Sequence, residues 1–435
     1  MVARHKPAIT VVISTYNWSG ALRCAIRSVL LQSMQDFEVL VVGDGCTDDS
    51  EGVVAAFCDP RVRWHNLEKN YGSQWFANNY GCENAAADWI AYLGHDDIWY
   101  PTHLEAILRT AREESAEIVT STMILYWPES TGGRGIAGVF PTGKFGAHDF
   151  VPPSAFAHAK WIYGNTVFWR DHTTTAAPID AAFLDDLART GHKLASTGEL
   201  TCFKFNAAWR RDAYQTKPID EQLRMLQRIE SGKDFRQSEL IAVLQSVVAG
   251  RFLWVASPPT AGIEPGSFAR RNRRSKGLDS RFDPGELRRV EQTMRFDLAR
   301  QEMPFEWHSL EEHPVHGTFR WTGPSTQATI DLPIVFDRDL ALRIHVVYAI
   351  SKIDGVTLSI HGQAISHRVE PLDDGTFLIH AQIKHALARC TRDFGITLDR
   401  AETSRPIDLG RSEDPRWLGI AVNWIELSPL PERGA

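Results

Sequence analysis

Apolar runs and helical stripes alternate along the first part of the chain. Residues 8–14 and 37–42 are nearly continuous apolar runs, the pattern of central strands covered on both faces. Between them Leu22, Ile26, Val29 and Leu30 recur at helical spacing behind Ser19, which predicts an amphipathic helix capped by that serine. A second helix, a strand at 62–67, the short apolar run 88–93 and a stripe of Leu104, Ile107, Leu108 and Ala111 continue the rhythm. Strand, helix, strand, helix at this spacing predicts an α/β domain with a parallel, Rossmann-like sheet.

Helical periodicity persists through Leu223, Leu226, Ile229, Leu240, Val243, Leu244 and Val247, and a last helix is predicted at 284–300. Beyond about residue 305 the period changes to two. Leu342, Ile344, Val346 and Tyr348 alternate with Arg343 and His345, and Leu418, Ile420, Val422 and Trp424 repeat the habit. Short alternating strands separated by turns predict an all-β, jelly-roll-like sandwich. The expected organisation is an α/β domain over 1–215, a helical connector over 216–304 and a β-sandwich over 305–435.

Composition narrows the class. Hydrophobic residues at 43% and charged residues at 23% are those of a folded globular protein, and a net charge of −7 argues against one built to coat nucleic acid. Six scattered cysteines lack the spacing of a zinc site or a disulfide scaffold, which points to a reducing compartment. No signal peptide or membrane span is predicted, so a cytoplasmic location is expected.

Polar loops follow residues 14, 42 and 93, at the carboxyl ends of predicted strands, where ligands bind in open α/β sheets. The last contains Gly94-His95-Asp96-Asp97, two adjacent carboxylates at the end of a buried strand. Such a pair suits Mg²⁺ or Mn²⁺ holding a substrate diphosphate, and serves equally as a cap for the helix after Pro101. Asp44, between Gly43 and Gly45, suits a base or ribose, with Tyr16 or Trp18 stacking on the base; a plain tight turn is the alternative. Asp48 and Asp49 read as helix caps.

Together, VVISTYNWSGALRCAIRSVLLQ, FEVLVVGDGCTDDS and KNYGSQWFANNYGCENAAADWIAYLGHDD resemble the N-terminal half of family 2 glycosyltransferases, whose fold is termed GT-A. The resemblance covers roughly residues 8–215. It implies inverting transfer of a sugar from a nucleotide-diphosphate donor, with a divalent ion, Mn²⁺ or Mg²⁺, bridging the diphosphate to an acidic motif. By position it assigns Thr15, Tyr16, Asn17, Asp44 and Asn70 to the nucleoside, Asp96 with Asp97 to the metal, and Asp180 to the catalytic base. His95, Trp99, Lys204, Arg210 and Arg211 are candidate diphosphate or acceptor contacts. Two departures stand out: Gly94 where members often carry an acid, and Asn78-Asn79 where they often carry an arginine. Around Asp180, Ile179 and Ala181 replace the usual acid and aromatic.

Three other stretches bear on the site. The glycine-rich segment 131–146 is expected to form a hairpin or flap over the crevice, and 161–170 resembles the family's acceptor-side strand. The basic cluster from Arg270 to Lys276 is read as a solvated linker or as a contact with anionic headgroups at a membrane surface. The expected partners are a nucleotide-sugar donor and a glycan or lipid-linked glycan acceptor in bacterial surface polysaccharide synthesis, with self-association left open. The alternative is a catalytically silent glycan-binding or scaffold protein, suggested by Gly94 and the β-sandwich.

Overall fold

A computed structural model describes residues 6–140, 145–146, 149–164, 167–232, 234–254, 263–298, 306–388, 393–400 and 402–431. The chain divides into two compact units. One comprises residues 1–127, 133–246 and 252–278, the other 128–132, 247–251 and 279–435.

The first unit follows the predicted rhythm: β1 (Ile9–Thr15), α1 (Ser19–Leu30), β2 (Phe37–Gly43), α2 (Ser50–Ala55), β3 (Val62–Asn66), α3 (Trp75–Asn84) and β4 (Trp89–Tyr92). These four strands lie parallel in the order β4-β1-β2-β3. The order reverses between β1 and β4, and at such a switch point two loops diverge and leave a crevice beyond the strand ends. Then come β5 (Ile98–Trp99), α4 (His103–Glu113), β6 (Ile118–Tyr126), β7 (Arg134–Ala137), β8 (Phe156–Ala159), α5 (Ile179–Arg189) and β9 (Leu194–Lys204). β8 inserts antiparallel between β4 and β6, which makes the sheet mixed; the segment 131–146, expected to be a hairpin or flap by itself, instead gives β7, which pairs antiparallel with β6. Residues 141–144, within the expected flap, lie outside the described residues. The unit closes with α6 (Ala213–Thr216), α7 (Asp220–Ser231), α8 (Phe235–Val248), β10 (Phe252–Trp254) and α9 (Ser267–Ser275).

β1 and β2 are buried on both faces, as their unbroken apolar runs require. α5 is fixed by Phe183, whose ring stacks on Trp169 at 4.1 Å, while Asn79 bonds both the N–H and the carbonyl of Trp169 at 2.9 Å. That clamp sets where α5 begins. Residues 156–159, rather than 161–170, form the strand in this region; Tyr163 and Val167 make only an isolated bridge. α1 is capped differently from expectation: Ser19 is its first residue, and its N–H donates to Asp48 Oδ2 at 3.0 Å.

The segment 216–304 divides between the units. α7 and α8 pack Met225, Leu226, Ile229 and Val243 against Phe203 and Phe235 in the first unit. Where a helix was predicted over 284–300 there are two short strands, Arg288–Arg289 and Met294–Asp297. The cause is visible in the burial: Phe296 is inside while Arg295 and Asp297 are exposed, a period of two, and the strand pairs with Ile420–Pro429.

The second unit is an antiparallel β-sandwich. A seven-stranded sheet containing Leu340–Ala349, Phe377–Ile383 and Ile420–Pro429 faces a four-stranded one containing Gln327–Leu332, Val356–Ile360 and Phe394–Arg400. Leu342, Ile344 and Ile425 from one face and Ile330, Leu358 and Ile396 from the other share one core. Trp424 lies between the His345 ring at 5.1 Å and the Arg295 guanidinium at 4.0 Å, so both of its faces are covered.

Candidate active site

A cleft of about 660 Å³ opens at the carboxyl ends of β1, β2 and β4. Its floor holds Ser14, Thr15 and Tyr16 after β1, Asp44 after β2, and Gly94, His95 and Asp96 after β4. Asn70 and Gln74 close one side, and Asp180 and Lys204 another. The remaining wall is α9, which contributes Phe268, Asn272 and Arg273 together with Lys276 just beyond its end.

Asp44 is 4% exposed, and its Oδ1 accepts from the Tyr71 N–H at 2.9 Å. The Asn70 amide donates to the Asp44 carbonyl at 3.2 Å. Gly45 has φ +69°, and a Cβ there would lie 2.5 Å from the Asn70 nitrogen, so glycine is required for the two loops to meet. Burial pushes the Asp44 carboxyl up to about 6 against the opposing pull of the Tyr71 N–H and Arg273. A carboxyl raised on folding costs stability above its folded pKa and costs nothing below its unfolded one. Asp44→Asn is therefore expected to stabilise the first unit at pH 7.5, on the order of 3 kcal/mol for a rise from 3.8 to about 6, with the gain gone near pH 3.5. Urea unfolding at the two pH values checks this, and equal stabilities at pH 7.5 would contradict it.

Asp96 and Asp97 have different surroundings despite their adjacency. Asp97 is fully buried: its Oδ2 accepts from Ser154 Oγ at 2.6 Å and Lys204 Nζ at 3.0 Å, and its Oδ1 from the Phe205 N–H at 3.1 Å. Asp96 lines the cleft, and among the described residues no side chain hydrogen-bonds or ion-pairs with its carboxylate. Burial would raise its pKa, but Lys204, His95 and Lys276 outweigh that and hold it ionised, below the usual value. Gly94 faces both acids; a Cβ there would stand 2.9 Å from Asp97 Oδ2 and 3.1 Å from Asp96 Oδ1. Of the two adjacent acids only Asp96 lines the cleft, and its carboxylate fits an Mg²⁺ or Mn²⁺ that keeps waters and takes further ligands from a substrate diphosphate. Among the described residues no group of three His, Cys, Asp or Glu could hold an ion alone.

His95 is tied on both ring nitrogens. Nδ1 lies 2.8 Å from Thr15 Oγ1 and accepts from the Tyr16 N–H at 3.4 Å, and Nε2 lies 3.1 Å from the Tyr214 hydroxyl. Burial, with Lys276 and Lys204 nearby, lowers its pKa despite Asp96, and the bonds at both nitrogens let the ring position the loops. Asp180 opens α5, and its Oδ1 accepts from the Ala181 N–H at 3.0 Å. Its pKa is raised by burial, against Lys204 and Lys276.

The other expected contacts lie away from the cleft. Asn17 joins the β1 and β2 loops, its Oδ1 accepting from the N–H groups of Thr47 at 2.7 Å and Asp48 at 3.2 Å. Trp99 is buried and donates to the Ser154 carbonyl at 2.6 Å. Arg210 forks onto Glu221 with two bonds of 2.6 Å, and Arg211 lies 3.5 Å from Asp212. Neither Asn78 nor Asn79 lines the cleft. Sequence reasoning passed over Ser154, Tyr214, Arg273 and Lys276. The last two fall three apart on a helix whose basic residues read as one charge cluster, and only the spacing Ala269, Asn272, Arg273, Lys276 separates its cleft face from its solvent face.

Residues 10–136, which hold β1 to β7 and most of the cleft floor, match the model described as glycosyl transferase family 2. The first unit contains a family 2 glycosyltransferase domain. Within that region the chain is 32% identical over 101 residues to an uncharacterized glycosyltransferase of Rickettsia typhi, covering 23% of this chain and 31% of that one. It is 36% identical over 117 residues to the succinoglycan biosynthesis protein ExoO of Rhizobium meliloti, covering 27% and 33%. The chain spans a third or less of the length of these relatives. Among solved structures, that of S. aureus TarS is similar over 96% of this chain and 85% of that one, at 11% identity and TM-score 0.38. A mannosyltransferase from Pyrobaculum calidifontis in complex with GDP-Man and Mn²⁺ is similar over 57% and 71%, at 15% identity and TM-score 0.36. Both likenesses are weak, and the functional reading rests on the residues of the glycosyltransferase domain's cleft.

Proposed function

We propose that this chain is an inverting glycosyltransferase that moves a sugar from a nucleotide-diphosphate donor to a glycan acceptor in bacterial surface polysaccharide synthesis. One observation carries the reading: Asp44, Asp96 and Asp180, far apart in sequence and each with a distinct role in such a transfer, line a single cleft. In it Asp44 and Asn70 receive the nucleoside beside Tyr16. Asp96 would hold the divalent ion, Mg²⁺ or Mn²⁺, which supplies neutralising charge to the departing diphosphate.

Asp180 takes the proton of the acceptor hydroxyl as that oxygen bonds to the anomeric carbon. The bond from that carbon to the diphosphate oxygen breaks on the opposite face, which inverts the centre. The raised pKa of Asp180 makes its carboxylate a stronger base toward the acceptor hydroxyl than a solvated aspartate is. Among the described residues no helix is long and apolar enough to cross a membrane.

Incubation with uridine, guanosine and thymidine diphosphate sugars, with and without Mn²⁺, tests the reading. Slow hydrolysis of one donor, and a raised melting temperature with its nucleoside diphosphate, are expected. Neither binding nor hydrolysis of any donor under either condition would leave the silent glycan-binding alternative in its place.

A further inference from the structure

Three cationic side chains line the cleft, and they are not equivalent. Lys204 is spent on Asp97, 3.0 Å away. Arg273 donates to the Gly72 carbonyl at 2.7 Å. Lys276 makes no ion pair among the described residues, and its Nζ lies 5.7 Å from the centroid of the Tyr214 ring. Asp96 and Asp180 attract its ammonium, while Lys204 and Arg273 repel it. It shares the cleft with the acid read as facing the diphosphate and the acid read as facing the acceptor.

The placement is built rather than incidental. Ser275 Oγ donates to the Ala208 carbonyl at 2.7 Å, its own carbonyl accepts from the Asp212 N–H at 3.0 Å, and the Lys276 carbonyl accepts from the Tyr214 N–H at 3.0 Å. These bonds pin the end of α9 to the loop that follows β9. A half-buried ammonium with no bonded counter-ion has given up part of its hydration and still has hydrogen bonds to offer when an anion arrives. With Lys204 paired to Asp97 and Arg273 bonded to the Gly72 carbonyl, Lys276 is the cleft cation, among the described residues, placed to meet a dianionic ligand beside any metal ion.

We propose that Lys276 binds the diphosphate of the donor, which gives the basic segment at Arg270 to Lys276 a place in substrate recognition. The proposal rests on the reading of the cleft as a nucleotide-sugar site. It also supplies a phosphate cation in a domain where Asn78, 2% exposed, stands at the position that members of the family often give to arginine.

The test compares affinities at fixed Mn²⁺ and ionic strength for a nucleoside diphosphate and for the same nucleoside without phosphates. Lys276→Gln is expected to weaken diphosphate binding by about tenfold or more and nucleoside binding by less than about twofold, since a bond to a charged group is worth roughly 1.5–3 kcal/mol. Lys276→Arg is expected to retain most of the affinity. Arg271→Gln, on the exposed side of the same helix, is expected to bind as the parent does. Equal diphosphate affinity for Lys276→Gln and the parent would overturn the proposal and leave the enzyme reading standing. A parent chain that binds no nucleoside diphosphate would overturn both.

Discussion

Asp180→Asn is expected to lower the rate of sugar transfer by roughly 10²–10⁴-fold, the usual worth of a positioned general base, while leaving nucleoside diphosphate affinity within about twofold. Only one side of the reaction is touched. Asparagine keeps the acceptor for the Ala181 N–H, so the first turn of α5 stays where Phe183 and Trp169 hold it, but the side chain can no longer take a proton. The pH profile gives a second readout. Because burial raises the Asp180 pKa, the acid limb of the parent's transfer rate is expected above the ordinary carboxylate range of about 4 and is expected to disappear in the variant. Asp185 and Asp186 are the controls. Asp186 forks onto Arg170 at 2.7 and 2.8 Å and Asp185 is 3.9 Å from Arg189, so asparagine at either is expected to leave the rate within a few-fold of the parent. A transfer rate for Asp180→Asn within tenfold of the parent would remove Asp180 from the mechanism.

What could be read from the chain before folding divides along physical lines. Periodicity exposed the first unit's sheet because β1 and β2 are buried on both faces, and it exposed the sandwich because alternation there is long and regular. It failed over 284–300, where the exposed, charged residues of Arg288–Arg289 carry little pattern and their pairing to a distant strand decides their state. Side-chain roles were legible only where the local sequence fixes direction. Asp44 directly follows the end of β2, and Asp96 stands in the short loop just past β4. The direction of Asp97 depends on Ser154 and Lys204, 57 and 107 positions away, and no local pattern reports them. Lys276 was hidden for the opposite reason. Its six neighbours include four arginines, and a dense charge cluster reads as solvated unless a packed partner for one face is known.

Asp97→Ala is expected to cost the first unit about 3–5 kcal/mol, the penalty for stranding one half of a buried ion pair, and to lower its melting temperature by roughly 10 °C. The carboxylate answers three donors at once: the Ser154 hydroxyl, the Lys204 ammonium and the Phe205 N–H. Without it Lys204, whose side chain is 18% exposed, is left facing Asp96 and Asp180 across the cleft with no bonded partner. Its own pKa is raised because these three acids outweigh burial, so the loss of the nearest one falls directly on the charged form. Asp96→Ala makes the contrast. No side chain among the described residues bonds that carboxylate, so its removal is expected to change stability by less than about 1 kcal/mol while abolishing metal-dependent diphosphate binding. Thermal unfolding of the two variants, read beside nucleoside diphosphate affinity with Mn²⁺, separates the roles. If Asp97→Ala melted with the parent and Asp96→Ala did not, the assignment of one acid to the fold and the other to the substrate would be reversed.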